Sequence, residues 1–552
     1  MAGDRESTGL GRFDRELLAA LPVVAFVAVF TLLPVALLFA QGWAGVSGGS
    51  GVATILGESV NDRAISNSLI EGAVSALAAV AVGYPSGVFL GRTHFPGRSV
   101  VLSVLLIPFL LPTVAVVLGV VEFLGPGGLI TSFAPGAGVF GSGFGGIVAA
   151  NVVFNAPVVV LLTVVGVETA SPDLEETVAS LGGSPRTAFR SVWGPPSLVG
   201  ALAGGLVAFL FSALAFAGPL LIGGASWYTI EARVYTLAQT LAQGPAAAVL
   251  ALAGVALLTP VTVAYIALSG HLRAGPLAAQ RRIRRFDGRN PIAWGLAVWT
   301  AIFVGGVGLL LGEIVVAGFA RSGSFGSAAS PFVDLFAPAL TARLGFSTAS
   351  AGANTLLYAT LASVLAVLLA LAAAPSLARR RRAQRAVGAI AFAPLLISPV
   401  VLSFALAQFV RPLLGGESAV PLLIIISQAT LALPFVLQAI GIPLTGTSPR
   451  LGEAARALGA SRWQAYLDVE LPTIRSGIWT AGLFAFALGL GEFTATNFLA
   501  TATASTLPVE IYHLEALRLG GLSRAAAALL VLLCLGLFVA IATRREEGSR
   551  VF

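Results

Sequence analysis

Lysine is absent from the 552 residues, so all 32 basic side chains are arginine. That absence excludes every mechanism needing a lysine amine, including the phosphate-binding loop of an ATPase and Schiff-base catalysis. Cysteine is reduced to Cys534, inside an apolar run, and the three histidines, His94, His271 and His513, lie far apart. No disulfide framework is possible, and neither a metal motif nor a cluster of nucleophile, base and orienting group is visible. Charge itself is scarce, at 10% of residues, against 57% hydrophobic residues and a mean hydropathy of +0.92. A chain of this length with ordinary composition would divide into several soluble domains; this one reads as a polytopic membrane protein.

At about 20 residues per crossing, the apolar runs predict twelve membrane helices. The first six are 17–40, 66–90, 100–124, 145–167, 197–222 and 245–268, and the second six are 292–319, 353–374, 387–410, 420–444, 474–499 and 525–543. An even number puts both termini on one side. The first run is too long for a removed signal peptide and lacks a small-residue cleavage site, so it is expected to stay as a span. The net charge of +7 and pI near 10.3 would suit nucleic acid, but the arginines sort by topology. Threading the spans puts 25 of them on the face that holds both termini and seven on the other. The positive-inside rule makes the 25-arginine face cytoplasmic, in a prokaryotic plasma membrane with both termini inside, and no nucleic-acid partner is expected.

The chain is a tandem repeat. Residues 172–195, PDLEETVASLGGSPRTAFRSVWGP, align without gaps on residues 449–472, PRLGEAARALGASRWQAYLDVELP, at an offset of 277. The same offset pairs Pro157 with Pro434, Phe216 with Phe493, Thr229 with Thr506 and Tyr235 with Tyr512. Toward the N-terminus it becomes 287, where Asn67-Ser68-Leu69 meets Asn354-Thr355-Leu356. Six spans per copy insert both copies in the same orientation, which predicts a pseudo-twofold axis along the membrane normal and a pathway between the halves. The division is 1–270, a cytoplasmic linker at 271–291 rich in arginine, and 292–552.

The duplicated cytoplasmic segment has the grammar of helix, turn, helix. Ser171-Pro172 and Ser448-Pro449 read as an N-cap followed by proline at the first helical position. Gly182 and Gly459 suit a left-handed helix end, and Ser184 and Ser461 open a second short helix that Pro195 and Pro472 close. Such a short amphipathic helix suits the groove of a soluble partner. Ala454, Ala455 and Ala457 permit close approach, and Glu176 and Glu453 offer a charged contact. Two equal knobs imply two equal partners.

The second copy, EAARALGASRWQAYLDVELP, resembles the EAA loop of ABC-importer permeases: E-A-A, three residues, glycine, then a closing L-P. The first copy departs from it with E-T-V at 176–178 and G-P at 194–195. The resemblance covers the last four spans of each half. It implies a type I importer permease fold in fused, double-length form, similar to the iron(III) and thiamine permeases. It further implies two ATP-binding subunits as a homodimer on the cytoplasmic face, an extracytoplasmic substrate-binding protein, and ATP and Mg held by the ATPase rather than by this chain. The coupling residues implied are Glu176, Leu181 and Gly182 with Glu453, Ala454, Ala455, Leu458 and Gly459. The chain is then a transport subunit and not an enzyme.

For cargo, 146–160 (GIVAANVVFNAPVVV, with Asn151 and Asn155) and 220–237 look most like thiamine permeases. The stretch LGLGEFTATNFLA before Thr506-Leu507-Pro508 is similar to sulfate and molybdate permeases; iron(III) stands between the two. Intramembrane carboxylates are costly, about 2.5–3.5 kcal/mol at mid-helix, so Glu71, Glu122, Glu313 and Glu492 are candidates for the pathway. Glu492, with Thr494 and Asn497 beside it, is the best placed, against the alternative of a packing hydrogen bond between spans. Pro108, Pro112, Pro394 and Pro399 are candidate kinks in the third and ninth spans. Two parallel six-span halves also describe the major facilitator architecture, and GRTHFPGR at 91–98 resembles its glycine- and arginine-rich loop. That loop lacks the expected aspartate, and a facilitator has no reason to duplicate an EAA loop.

Overall fold

The computed structural model describes residues 20–46, 49–105, 107–224, 227–272, 284–285, 290–320, 330–379, 390, 393–446, 449–461 and 464–549. Among them, nine helices are long and apolar enough to cross a membrane: Ala20–Gly45, Ser59–Arg92, Gly143–Glu168, Pro185–Ala213, Gly244–Leu268, Pro291–Phe319, Thr348–Ala374, Gly416–Ile440 and Gly520–Leu537. Two bent helix pairs pass the same test when each is taken together, Arg98–Phe109 with Thr113–Leu124 at 102° and Ala465–Thr473 with Gly477–Gly491 at 70°. These eleven fall on eleven of the twelve expected runs. The remaining run, 387–410, is described mainly through the apolar helix Pro399–Val410.

The prolines of the third and ninth spans break helices rather than kink them. Pro112 is extended, at φ −57° and ψ 129°, directly before Thr113–Leu124. Pro399 is the first residue of Pro399–Ala405, where Ser398 Oγ accepts from Val401 N at 3.1 Å. Proline lacks the N–H that an ongoing helix needs, but is well suited to the first helical position. Pro112 and Pro399 are 287 apart, so the break belongs to the repeat.

By contacts the chain forms two compact units, residues 1–41 with 350–506, and 42–349 with 507–552. The smaller unit therefore combines the first span with the middle of the second repeat, and the larger combines the rest of the first repeat with the first and last spans of the second. In the larger unit, Ser59–Arg92, Gly143–Glu168 and the helix after residue 194 pack at backbone distance. A Cβ on Gly87 would lie 2.5 Å from Thr163 Cβ, and one on Gly200 would lie 2.2 Å from the Leu162 carbonyl. Glycine at these crossings lets helices approach closely where no hydrophobic effect drives them together. The seventh span joins the same unit: Trp299 Nε1 donates to the Val82 carbonyl at 3.0 Å. Within the linker, Arg284–Arg285 pairs in parallel with Thr93–His94.

Candidate functional site

The two copies of the duplicated segment share their backbone turns and the hydrogen bonds that close them. The first helix, Pro172–Ser180, starts with proline, and Asp173 and Glu175 in its first turn complement the positive helix end. Ser171 has the extended backbone of a cap without the side-chain bond. The helix ends in Gly182 at φ +75°, with Gly182 N bonded to Ala179 O at 3.0 Å and Gly183 N to Val178 O at 2.8 Å. In the second copy, Pro449–Ala457 ends in Gly459 at φ +93°, with Gly459 N bonded to Arg456 O and Ala460 N to Ala455 O, both at 3.0 Å. A positive φ is cheap only for glycine, and the chain turns where the sequence places one.

Ser184 Oγ accepts from Thr187 N at 3.3 Å. Ser461 Oγ accepts from Gln464 N at 3.2 Å while Gln464 Oε1 accepts from Ser461 N at 2.8 Å, a complete capping box. Beyond these caps the chain departs from expectation. Pro195 does not close a separate short helix: the chain runs from Pro185 to Ala213 through a π turn at Phe189–Trp193, where Gly194 N bonds Phe189 O. The second copy has its π turn at Ala465–Glu470, with Leu471 N bonded to Tyr466 O. Pro195 and Pro472, lacking the N–H and crowding the carbonyl four residues back, are accommodated by one inserted residue.

On this scaffold Glu176, Leu181 and Gly182 are exposed, as are Ala454, Leu458 and Gly459, with Ala455 half-buried. Leu181 is 83% exposed and Leu458 90%, both just beyond a helix end and 277 apart. Glu453 lies on the Pro449–Ala457 helix, its side chain outside the described ones.

No motif in the sequence hints at the anchor of the first copy. Arg92, at the end of the second span, donates from Nη2 to Glu175 Oε1 at 2.6 Å, and its guanidinium carbon lies 4.1 Å from the centre of the Trp193 ring. One arginine thus fixes the Pro172–Ser180 helix to two spans. The positions equivalent to Glu175 and Trp193 are Gly452 and Glu470, so the second copy lacks both of these partner side chains. A partly buried charge-assisted bond with a cation–π contact is worth about 2–3 kcal/mol. Arg92→Ala is expected to lower uptake at least fivefold per assembled complex while the ATPase still co-purifies. Unchanged uptake would show that the clamp does not position the helix.

Inside the membrane the candidates separate. Glu71 is buried, accepting from Asn151 Nδ2 at 3.0 Å and Trp227 Nε1 at 3.0 Å. Asn151 also reaches Ser75 Oγ at 3.2 Å, and Phe144 lies against Trp227 with ring centres 4.3 Å apart. Asn155 donates to Ser212 Oγ at 3.2 Å. Glu122 pairs with Arg524 at 3.1 Å, and Glu313 is half-buried. Glu492 turns onto its own chain: Ala495 N, Thr496 N and Thr496 Oγ1 donate to it at 2.7, 2.8 and 2.5 Å. It thereby caps the short helix Thr494–Leu499, begun after the span ends at Gly491. The first half breaks at the equivalent point, ending at Ala213 and resuming at Ala217–Ile222. The expected continuous spans 197–222 and 474–499 are therefore each interrupted, and Glu492 supplies the bonds that the interruption exposes. Asn497, in that short helix, is buried with no hydrogen-bond partner for either amide atom.

Two further polar pairs obey the repeat. Asn67 Nδ2 donates to the Tyr228 carbonyl and Asn354 Nδ2 to the Ser505 carbonyl, both at 3.0 Å. Arg233 Nε donates to Asn61 Oδ1 at 2.8 Å, and at the equivalent positions Thr348 Oγ1 donates to Glu510 Oε1. The first pair explains why the asparagine of the N-S-L and N-T-L matches recurs. The second pair has opposite charges in the two halves, and only the repeat arithmetic between distant segments could have disclosed it.

Comparison with known proteins matches the duplication. The family model for the binding-protein-dependent transport system inner membrane component matches twice, at residues 83–274 and 362–547. The thiamine transport system permease protein ThiP of Brucella suis biovar 1 (strain 1330) is 27% identical over 82% of this chain and 83% of its own. A probable molybdenum ABC transporter permease of Haloferax volcanii is 33% identical over 30% of this chain and 63% of its own. The molybdenum transport system permease protein ModB of Escherichia coli (strain K12) is 36% identical over 16% of this chain and 41% of its own.

Proposed function

The chain belongs to the family of binding-protein-dependent transport system inner membrane components, and from that premise we propose that it imports an organic cation of the thiamine class. As a multi-pass permease of an ABC importer it provides the membrane passage and is not itself an enzyme. ATPase and binding-protein partners go with the family. The finer assignments are ours: the two exposed coupling elements each receive one subunit of an ATPase homodimer, which holds ATP and Mg, and the arginine-rich face with both termini is cytoplasmic. ATP-driven closure of that dimer draws the Glu176–Gly182 and Glu453–Gly459 elements together and opens the pathway outward to the loaded binding protein. Hydrolysis resets it.

One observation carries the cargo class. Among the described residues, the charged side chains closed to solvent are Glu71, Glu231 and Glu510, and no arginine is in that set. A carboxyl oxygen accepts from a cationic donor whether or not the group keeps its proton, whereas an oxyanion would find no guanidinium in that set to pair with, which favours a cation. Glu71 with Trp227 adds an aromatic face beside the carboxylate, favourable for an aromatic cation. We place Asn151 and Asn155 on the pathway in the first half, and Thr494 and Asn497, positioned by Glu492, in the second. The match to ThiP over most of both chains supports the same cargo. The molybdenum-named relatives keep an oxyanion as the second reading.

Proteoliposomes holding the permease with its ATPase and binding protein, offered radiolabelled thiamine and molybdate separately, decide between them. ATP-dependent accumulation of thiamine at least tenfold above molybdate is expected. The reverse preference would refute the cation assignment. Uptake driven by a proton gradient without ATPase would refute the importer mechanism itself.

A further inference from the structure

Three buried amide atoms of the second repeat have no hydrogen-bond partner among the described residues: Asn497 Oδ1, Asn497 Nδ2 and Gln428 Oε1. Asn497 is 7% exposed and Gln428 3%, so neither is open to bulk water. Both belong to the break in the eleventh span. Gln428 Oε1 lies against Gly489, where an added Cβ would stand 3.2 Å from it, two residues before that helix ends at Gly491. Asn497 lies beyond the break in Thr494–Leu499, a short helix that packs against Val420–Gly446, the helix carrying Gln428. Buried polar groups are nearly always bonded, so unbonded ones gathered at one break mark a place that a partner from outside the chain completes.

The first repeat shows what has been taken away. At the offset of 277, Gln428 stands where Asn151 does and Gly489 where Ser212 does; at 287, Tyr358 and Ala362 replace Glu71 and Ser75. In the first repeat Asn151 donates to Glu71 and Ser75, and Ser212 accepts from Asn155. The second repeat keeps an amide at 428 but has neither that carboxylate nor those two serine hydroxyls. Asn497 stands in place of Leu220, an amide where the first repeat has a hydrocarbon.

The unbonded set is two acceptors, Asn497 Oδ1 and Gln428 Oε1, and one donor nitrogen, Asn497 Nδ2. An aromatic amine beside a ring nitrogen is its complement, with two N–H groups to donate and one acceptor. Asparagine meets such an edge with two parallel hydrogen bonds, as it does on adenine. An oxyanion brings acceptors only and would leave both amide oxygens unbonded. We propose that Asn497 and Gln428 bind the aminopyrimidine edge of the cargo: Asn497 Oδ1 and Gln428 Oε1 each accept from the amino group, and Asn497 Nδ2 donates to the ring nitrogen. The assignment rests on the thiamine-class reading above and gives it specificity residues in the second repeat, in addition to Glu71 in the first.

Uptake by the full permease in proteoliposomes, with its ATPase and with its binding protein saturated, tests it. Asn497→Leu is expected to slow thiamine uptake at least tenfold and Gln428→Met at least threefold. Thermal stability of both variants should equal that of the wild type or exceed it, because apolar side chains of similar size leave no unbonded polar atom inside. A thiamine analogue with hydrogen in place of the aromatic amine isolates the contact. It should be taken up at least tenfold more slowly than thiamine by the wild type, and that penalty should shrink at least threefold in Asn497→Leu, since discrimination by the binding protein is common to both. Should Asn497→Leu not assemble, Gln428→Met carries the same comparison. Unchanged thiamine uptake in both variants, or an analogue penalty as large in the variant as in the wild type, would overturn this assignment and leave the cargo class standing. Failure of the wild type to take up thiamine would overturn the cargo class, and this assignment with it.

Discussion

A permease carrying Leu181→Asp together with Leu458→Asp is expected to reach the membrane in normal amount and to import almost nothing. Both leucines stand nearly clear of the protein, 83% and 90% exposed, so replacing them removes little from the fold. An exposed leucine at a helix end gains its worth only when a partner covers it, about 1.5–3 kcal/mol for full burial. Two such contacts total about 3–6 kcal/mol, and a carboxylate pressed into an apolar groove adds a desolvation penalty. At about 1.4 kcal/mol per factor of ten, ATPase affinity should fall at least a hundredfold. The measurement is co-purification of the ATPase with the permease, alongside ATP-driven uptake. Each single variant should retain partial assembly through the other copy. Wild-type co-purification in the double variant would remove both leucines from the interface.

The second large effect concerns acidity. Burial pushes the Glu510 carboxyl up to about 7, against the lowering influence of the Thr348 hydroxyl that donates to it. Its second oxygen has no hydrogen-bond partner. From about pH 4.5 to 7 the folded protein keeps a proton that the unfolded chain releases, so stability falls as pH rises through that window and levels off above it. The full difference is about 3 kcal/mol. Glu510→Gln keeps the shape without the charge and should abolish this dependence, raising thermal stability at pH 8 by a few degrees while changing little at pH 5. His513, held below its ordinary value by burial, works in the opposite direction, because its protonation on acidification favours the unfolded chain. The informative quantity is therefore the difference between wild type and Glu510→Gln at each pH. A difference that does not change from pH 5 to 8 would mean the carboxylate is already charged, or solvated, in the folded protein.

The features legible in the sequence were local or duplicated. Gly182 and Gly459 announce their turns because no other residue tolerates that backbone so cheaply, and the fixed offset identifies the two copies of the helix–turn–helix segment without any three-dimensional information. Spans were legible because apolar length is nearly sufficient to define them. The interruption of the fifth and eleventh spans was hidden inside runs of unbroken hydropathy, since Ala215 and Glu492 reveal a helix end only through the bonds made there. Arg92 carried a second hidden role: its charge counted toward topology, whereas its contacts with Glu175 and Trp193 join residues 83 and 101 positions away. The division into units was also beyond reach, because a hydropathy pattern says where a helix crosses and not which helices it touches.

That division has a consequence in time. The first span belongs with residues 350–506, so about 310 residues separate its synthesis from that of its neighbours. At roughly 5–20 residues per second, it waits some 15 to 60 seconds in the bilayer before those neighbours are made. It is also the most hydropathic of the nine uninterrupted spans, whereas Ser59–Arg92, which carries Glu71, is the least and has its partners Asn151 and Trp227 within the next 160 residues. In these two spans polarity follows the timing of the partners: the helix whose neighbours come late is the one best suited to lipid, and the helix that carries a carboxylate has its polar partners early.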